Sequence, residues 1–291
     1  MKILFVGVFK GDGKSTNDSQ LICLRQLGHE VLPYNYRKIA LEYGQSARDS
    51  HLLNTIKEGA FDLVIYSKCN GVSSLVFEES SKITKTCLWF MDPLSNYDSE
   101  MHLKTSLCSY FCCDKKNVLS VALGINPRSF YVCEGFDQKV DKPHNVSKAY
   151  DISFIGSLYG NRSSLLKGVK RKVTIINDAY GEAHSLEVSK SKVNLNICTE
   201  GGASDRIYKI LAAQGFLMSD DWEGRSDIFE DGKDCVIFKG VEDLNSKLDY
   251  YLLNCNIREK IAMNGYNKVI NLTRANWASE ILERGYNERF L

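Results

Sequence analysis

The chain is predicted to be an α/β protein made of two Rossmann-like domains facing a central cleft. Three observations carry this. Short apolar segments of strand length alternate with segments of helix length over residues 2–123, and a second such series occupies residues 151–239. Between them residues 134–148 (EGFDQKVDKPHNVSK) are polar, contain Gly and Pro, and show no periodicity, as a linker does. The 291 residues suffice for two domains of ordinary size. The expected division is a first domain over 1–133, the linker 134–148, a second domain over 149–274, and a C-terminal helix over 275–291. The stripe Trp277, Ile281 and Leu282 on that helix suits packing on either domain.

Residues 2–8 (KILFVGV) form a continuous apolar run, expected as a strand buried on both faces. The Gly-rich loop 9–15 follows, then a helix capped by Thr16 or Asn17 that ends at Gly28-His29, then a strand over 30–34. Gly13-Lys14-Ser15 resembles the end of a P-loop. That motif needs a glycine where Val8 stands, and Gly7 is one residue too early, so a triphosphate loop is not expected. Gly11 and Gly13 still present backbone N–H groups near a helix start, for an anion, a sugar hydroxyl or simply a tight turn. Residues 61–67 are a strand, 73–79 a short helix and 86–91 a strand ending in Asp92-Pro93. Asp92 there either meets a substrate or caps the next helix. Residues 109–113 and 118–123 are expected as further strands, and His144 in the linker as solvent-exposed.

The second series opens with a strand over 152–155, a turn from Gly156 to Arg162 and a helix to about residue 167. Strands over 172–176 and 193–198 flank a helix near 182–189. Residues 204–214 form a helix closed by Gly215, and Phe216-Leu217-Met218 is a strand whose carboxyl end runs into Ser219-Asp220-Asp221. Ligands of open α/β sheets bind at such strand ends. A last strand over 236–239 and helices over 242–253, 257–270 and 276–288 complete the chain.

A net charge of +1 gives no overall field for nucleic acid or an anionic membrane. The basic run KGVKRK at 167–172 reads as a solvated helix end. No apolar run approaches the roughly 18 residues that span a bilayer, and no small-residue cleavage site follows the N-terminal apolar run, so a cytoplasmic protein without a membrane span is expected. Of ten cysteines only Cys108, Cys112 and Cys113 cluster, with no second pair at ligand spacing. They are expected to be buried free thiols, with no metal site.

Four segments resemble a known family: Trp89-Phe90-Met91-Asp92-Pro93; Leu123-Gly124-Ile125-Asn126-Pro127 followed by Phe130-Tyr131; Tyr150-Asp151-Ile152-Ser153-Phe154-Ile155-Gly156-Ser157 with Asn161-Arg162; and Arg206-Ile207-Tyr208-Lys209 with Gly215-Phe216-Leu217 and Phe229-Glu230-Asp231-Gly232. Over nearly the whole chain they are similar to GT-B glycosyltransferases of the spore-maturation CgeB type, within the broad glycosyl transferases group 1. The resemblance implies metal-independent transfer of a sugar from a nucleotide-diphosphate sugar to an acceptor hydroxyl, with no cofactor besides the donor. The donor would bind the second domain and the acceptor the first. Carbohydrate, protein and modified DNA base all stay open as acceptors. A non-catalytic binding protein and a nucleotide-sugar epimerase or hydrolase on the same scaffold are the alternatives.

One position departs from the family. Where relatives carry Glu, which in related transferases binds the donor ribose, this chain has Lys209. An ammonium only donates hydrogen bonds. Either Asp227 or Glu230 takes the ribose, or Lys209 faces a phosphate, or donor binding has decayed. For the chemistry, a departing diphosphate needs fixed positive charge or N–H donors. Arg206 can offer a bidentate fork, Arg162 a second cation after the turn at Gly156, and Gly201-Gly202 backbone N–H groups. Both arginines also read as surface ion pairs. If the anomeric centre inverts, a general base is required, and Asp92 and Asp12 are the candidates.

Overall fold

The computed structural model describes residues 1–198, 202 and 204–286, in two compact units: Met1–Glu134 with Arg274–Leu291, and Gly135–Thr273.

Unit 1 runs β1 (Lys2–Gly7), α1 (Thr16–Gln26), β2 (Glu30–Asn35), α2 (Tyr36–Tyr43), α3 (Gln45–Gly59), β3 (Leu63–Ser67), α4 (Ser74–Ser81), β4 (Lys85–Phe90), α5 (Ser99–Leu107), β5 (Tyr110–Cys113), α6 (Lys116–Leu123) and β6 (Ser129–Tyr131). The strands form one parallel sheet in the order β2-β1-β3-β4-β5-β6. Successive side chains on a strand point to opposite faces. Leu4, Val6, Leu88 and Phe90 therefore enter one core, and Ile3, Phe5, Cys87 and Trp89 the other. Both faces are covered, which explains the unbroken apolar runs.

Two sequence readings are corrected. The cap of α1 is Ser15, not Thr16 or Asn17. Its hydroxyl accepts the Asp18 N–H at 3.1 Å while the Asp18 carboxylate accepts the Ser15 N–H at 2.9 Å, a reciprocal capping box. Residues 118–123 belong to helix α6 rather than a strand: Val118 and Ala122, four apart, are its buried positions, and a short apolar run does not by itself distinguish the two. Helices α2, α3 and α5 fall in stretches where no element was predicted.

Unit 2 runs β7 (Tyr150–Ile155), α7 (Arg162–Lys167), β8 (Thr174–Ile176), α8 (Glu182–Ser189), β9 (Ser191–Asn196), α9 (Asp205–Ala212), β10 (Leu217–Ser219), β11 (Val236–Ile237), α10 (Gly240–Leu253) and α11 (Cys255–Val269). Its parallel sheet has the order β11-β10-β9-β7-β8. One face is apolar: Ile152, Phe154, Val193, Leu195 and Met218 pack with Leu244 and Leu248 of α10 and Ile261 of α11. The other face is polar although buried. Ser153, Ser191, Asn194, Asn196 and Ser219 are each at most 1% exposed. They satisfy one another, Ser191 Oγ donating to Ser153 Oγ at 2.6 Å and Asn196 Nδ2 to Ser219 Oγ at 2.9 Å.

Helix α12 (Arg274–Glu280) and a π-helical turn (Ile281–Tyr286) belong to unit 1. Trp277 lies edge-on to Trp89, ring centroids 5.9 Å apart, and 6.3 Å from the Phe5 ring. The cysteines are free thiols, all buried except Cys133 and Cys255. His144 is half-buried rather than exposed, because its Nε2 lies 2.9 Å from Ser185 Oγ and its N–H donates to Ser189 Oγ. No helix among the described residues is long and apolar enough to cross a membrane.

Candidate active site

In unit 2 the chain leaves β7 to pair β8 on one side, then returns to place β9 on the other. The loops after β7 and β9 thus diverge and open a crevice at the carboxyl edge, the usual ligand position in such sheets. Arg162, the first residue of α7, is 2% exposed and spans this crevice: Nε donates to Ile197 O and Nη1 to Ser157 O, both at 3.1 Å. Its guanidinium carbon lies 4.0 Å from the Tyr159 ring centroid and 5.7 Å from that of Phe154. Arg206, from the first turn of α9, comes to the same Phe154 ring, at 5.2 Å, and donates from Nη1 to Asn196 Oδ1 at 3.3 Å. Gly156 ends the β7 turn beneath it with φ +138°, and a Cβ there would lie 2.6 Å from Arg206 Nη2.

Two cations therefore share one aromatic ring, and among the described residues neither has a carboxylate within ion-pair reach. Burial first, and then the Arg162 charge, hold Arg206 below the ordinary arginine value. An arginine remains protonated even so, and the pair is a concentrated positive site. Asp220, at the end of β10, accepts the Cys198 N–H at 2.7 Å, tying the loops after β9 and β10; burial raises its carboxyl above the usual range. Asp220 lies in the strand-end loop that the sequence marked as a ligand position, whereas Asn196 and Phe154 did not emerge from the sequence as site residues. The alternation of Asn194 and Asn196 with Val193, Leu195 and Ile197 was the available sign of a polar face.

Lys209 is paired with Asp205, one helical turn earlier, at 2.6 Å. Glu230 is exposed and paired with Lys233 at 2.8 Å, and Asp227 is exposed on the short turn Arg225–Asp227. Gly201 lies outside the described residues; Gly202 is half-buried. Beside α9, His184 of α8 is buried, and neither ring nitrogen has a hydrogen-bond partner among the described residues. Burial, then the charges of Lys209 and Arg206, push it down to about 3, so the imidazole is neutral.

In unit 1 the Gly-rich loop is folded around Asp18, whose carboxylate accepts the N–H groups of Lys10 and Gly11 at 3.1 Å and of Ser15 at 2.9 Å. The Gly11 N–H is thus engaged within the protein. Gly13 has φ +71°, and Asp12 is 89% exposed, 3.7 Å from Lys14 Nζ. Asp92 follows β4 and is 21% exposed, with Oδ1 bound by Lys68 Nζ from the end of β3. At the end of β5 a buried pair, Asp114 and Lys115, stands 2.7 Å apart. Among the described residues no group of three His, Cys, Asp or Glu side chains is placed to hold a metal ion.

Residues 143–283 match the family model described as glycosyl transferase-like. No curated protein matches the chain in sequence. Among solved structures the chain is similar to a glycosyltransferase from Rickettsia africae, at 14% identity, 99% of each chain covered and a TM-score of 0.70. It is similar to Anabaena HepE in complex with UDP and glucose, at 12% identity, covering 97% of this chain and 99% of that one, TM-score 0.73. It is also similar to sucrose-phosphate synthase from Thermosynechococcus elongatus, at 10% identity, 99% and 98% covered, TM-score 0.74. The fold is GT-B, and the glycosyl transferase-like match over residues 143–283 agrees with the resemblance to glycosyl transferases read from the residues.

Proposed function

We propose that this protein is a glycosyltransferase that takes a sugar from a nucleotide-diphosphate donor, whose diphosphate is held by Arg162 and Arg206. The observation that carries this reading is the pair of buried guanidiniums over Phe154, which have no carboxylate partner among the described residues. Keeping two like charges together is unfavourable until an anion arrives, and a diphosphate accepts from both forks. Arg162, Ile197 and Ser157 form a frame set before binding. As the bond from the anomeric carbon to the diphosphate oxygen breaks, the electron pair goes to the leaving group, and the fixed cations stabilise that charge in the transition state. The UDP and glucose in the Anabaena protein of the same fold support this class of donor.

Of the two candidate bases, Asp92 is the better, being half-buried at a strand end, whereas Asp12 is nearly fully exposed on its loop. Gly11, Gly13, Gly202 and Asp227 take no assigned role in this reading. Lys209 favours a second reading, binding without turnover, because its partner is Asp205 and it offers no acceptor to a ribose.

The test is a panel of nucleotide sugars, with thermal shift for binding and release of nucleoside diphosphate for turnover. Binding with release supports transfer, and binding without release supports the second reading. Absence of both overturns the donor site. Arg206→Ala removes a charge-assisted contact of about 1.5–3 kcal/mol, so nucleotide affinity should fall about 10- to 100-fold.

A further inference from the structure

We propose that Lys68 is a positioning residue for Asp92, fixing one carboxylate oxygen so that the other accepts the proton of the acceptor hydroxyl. This rests on the glycosyltransferase reading above.

The backbone is built at a cost to place Lys68. Lys68 and Cys69 are consecutive residues with φ of +60° and +57°, a conformation disfavoured for side chains larger than glycine. Each costs on the order of 1–3 kcal/mol, and such strain persists only where neighbours over-determine it. They do so here. The Lys68 N–H donates to Trp89 O at 2.9 Å and the Cys69 N–H to Ser67 O at 2.7 Å. Lys104, fully buried and paired with Glu100 at 2.6 Å, donates its ammonium to Cys69 O at 3.3 Å. A plain surface ion pair would need none of this.

What the turn achieves is the contact from Lys68 Nζ to Asp92 Oδ1 across the carboxyl ends of two adjacent strands. Among the described residues Oδ2 of Asp92 has no partner. An ionised carboxylate only accepts, so the open oxygen suits a hydroxyl donor. Behind the pair, the buried Asp114–Lys115 pair fills the end of β5 and leaves Asp114 Oδ1 without a hydrogen-bond partner among the described residues. In the reaction the acceptor O–H proton passes to Asp92 Oδ2 and the acceptor oxygen bonds to the anomeric carbon. The bond from that carbon to the diphosphate breaks, its electron pair leaving with the nucleotide.

The test uses the full chain and the donor that the panel above identifies, with water as acceptor and nucleoside diphosphate release as readout. Asp92→Asn should lower kcat about 100-fold or more. Lys68→Gly removes the ammonium but suits φ +60°, so the protein should be at least as stable while kcat falls about 10-fold or more and donor KM holds. Lys68→Arg should restore most of the rate. A residue acting only through Asp92 adds nothing once Asp92 is gone, so the double variant should match Asp92→Asn. Losses that multiply in the double variant, or a Lys68→Gly defect in stability or donor KM alone, overturn the assignment. So does Asp92→Asn with more than a tenth of the parent kcat. Loss of nucleotide binding by the unmodified protein would instead refute the donor-site reading, and is measured separately.

Discussion

The Cβ that Gly156 lacks would stand 2.6 Å from Nη2 of Arg206, so the end of β7 leaves room for that guanidinium only because the residue is glycine. Its φ of +138° is likewise open to glycine and strained for any other residue. Gly156→Ala is expected to displace Arg206 from Phe154. Nucleotide affinity should fall about 10-fold or more, and stability by about 1–3 kcal/mol. Calorimetric titration with UDP and urea unfolding check the two effects separately; an alanine variant that binds like the parent would place Arg206 away from the ligand.

Arg206→Met should act in opposite directions on the free and liganded protein. Burial and the Arg162 charge both oppose the charged form of Arg206. Methionine relieves this while keeping apolar contact with Phe154. The melting temperature without ligand should hold or rise, and the further rise brought by UDP should shrink by the equivalent of about 1.5–3 kcal/mol. Thermal melts with and without about 1 mM UDP, about a thousandfold above a Kd of about 1 μM, give a shift large enough to read. A destabilised variant whose UDP shift equals the parent's would contradict the site.

The strands of unit 1 were legible because parallel strands covered on both faces need apolar side chains at every position, as in Ile3-Leu4-Phe5-Val6. Helix α3 was not: over Gln45–Gly59 its buried positions are only Arg48, Leu52 and Ile56, too thin a stripe to stand out. Helix α6 was misread because six residues, apolar but for Ser120, are too few to show a period. At the site, Arg162 and Arg206 could be named from residue type and from family resemblance. Their common ring, Phe154, and the tie from Arg206 to Asn196 depend on how β7 and β9 lie side by side, which no local pattern encodes. The left-handed Lys68 was not legible, since the turn signal of its loop, Asn70-Gly71, lies two residues later.

Lys209→Glu would replace the 2.6 Å pair with Asp205 by two carboxylates one turn apart. Losing the attraction and gaining the repulsion should cost about 0.5–1 kcal/mol. A carboxylate also supplies the hydroxyl acceptor that lysine lacks. UDP affinity is expected to rise several-fold, with a smaller gain for 2′-deoxy-UDP, which offers one hydroxyl fewer. Equal affinities for parent and variant with both ligands would show that residue 209 does not meet the ribose.

His184 should make the protein acid-sensitive. In the folded chain burial and the charges of Lys209 and Arg206 hold its pKa at about 3, against 6.5 for an exposed histidine. Below pH 6.5 the unfolded chain takes up a proton that the folded chain refuses until about pH 3. The unfolded state therefore binds more protons over that window, and stability must drop as pH falls through it. From this group alone the slope approaches about 1.4 kcal/mol per pH unit below the unfolded pKa, so about 1 kcal/mol is lost between pH 6.5 and 5.5. His184→Leu deletes the titrating group together with two ring nitrogens that lack partners among the described residues. At pH 7.5 the variant should be within about 1.5 kcal/mol of the parent, since the exchange nearly conserves volume. At pH 5.5 the difference should have moved in the variant's favour by about 1 kcal/mol or more. Urea unfolding at pH 7.5, 6.5 and 5.5 measures it, and parallel pH profiles for the two proteins would mean that His184 takes up its proton at the same pH folded and unfolded.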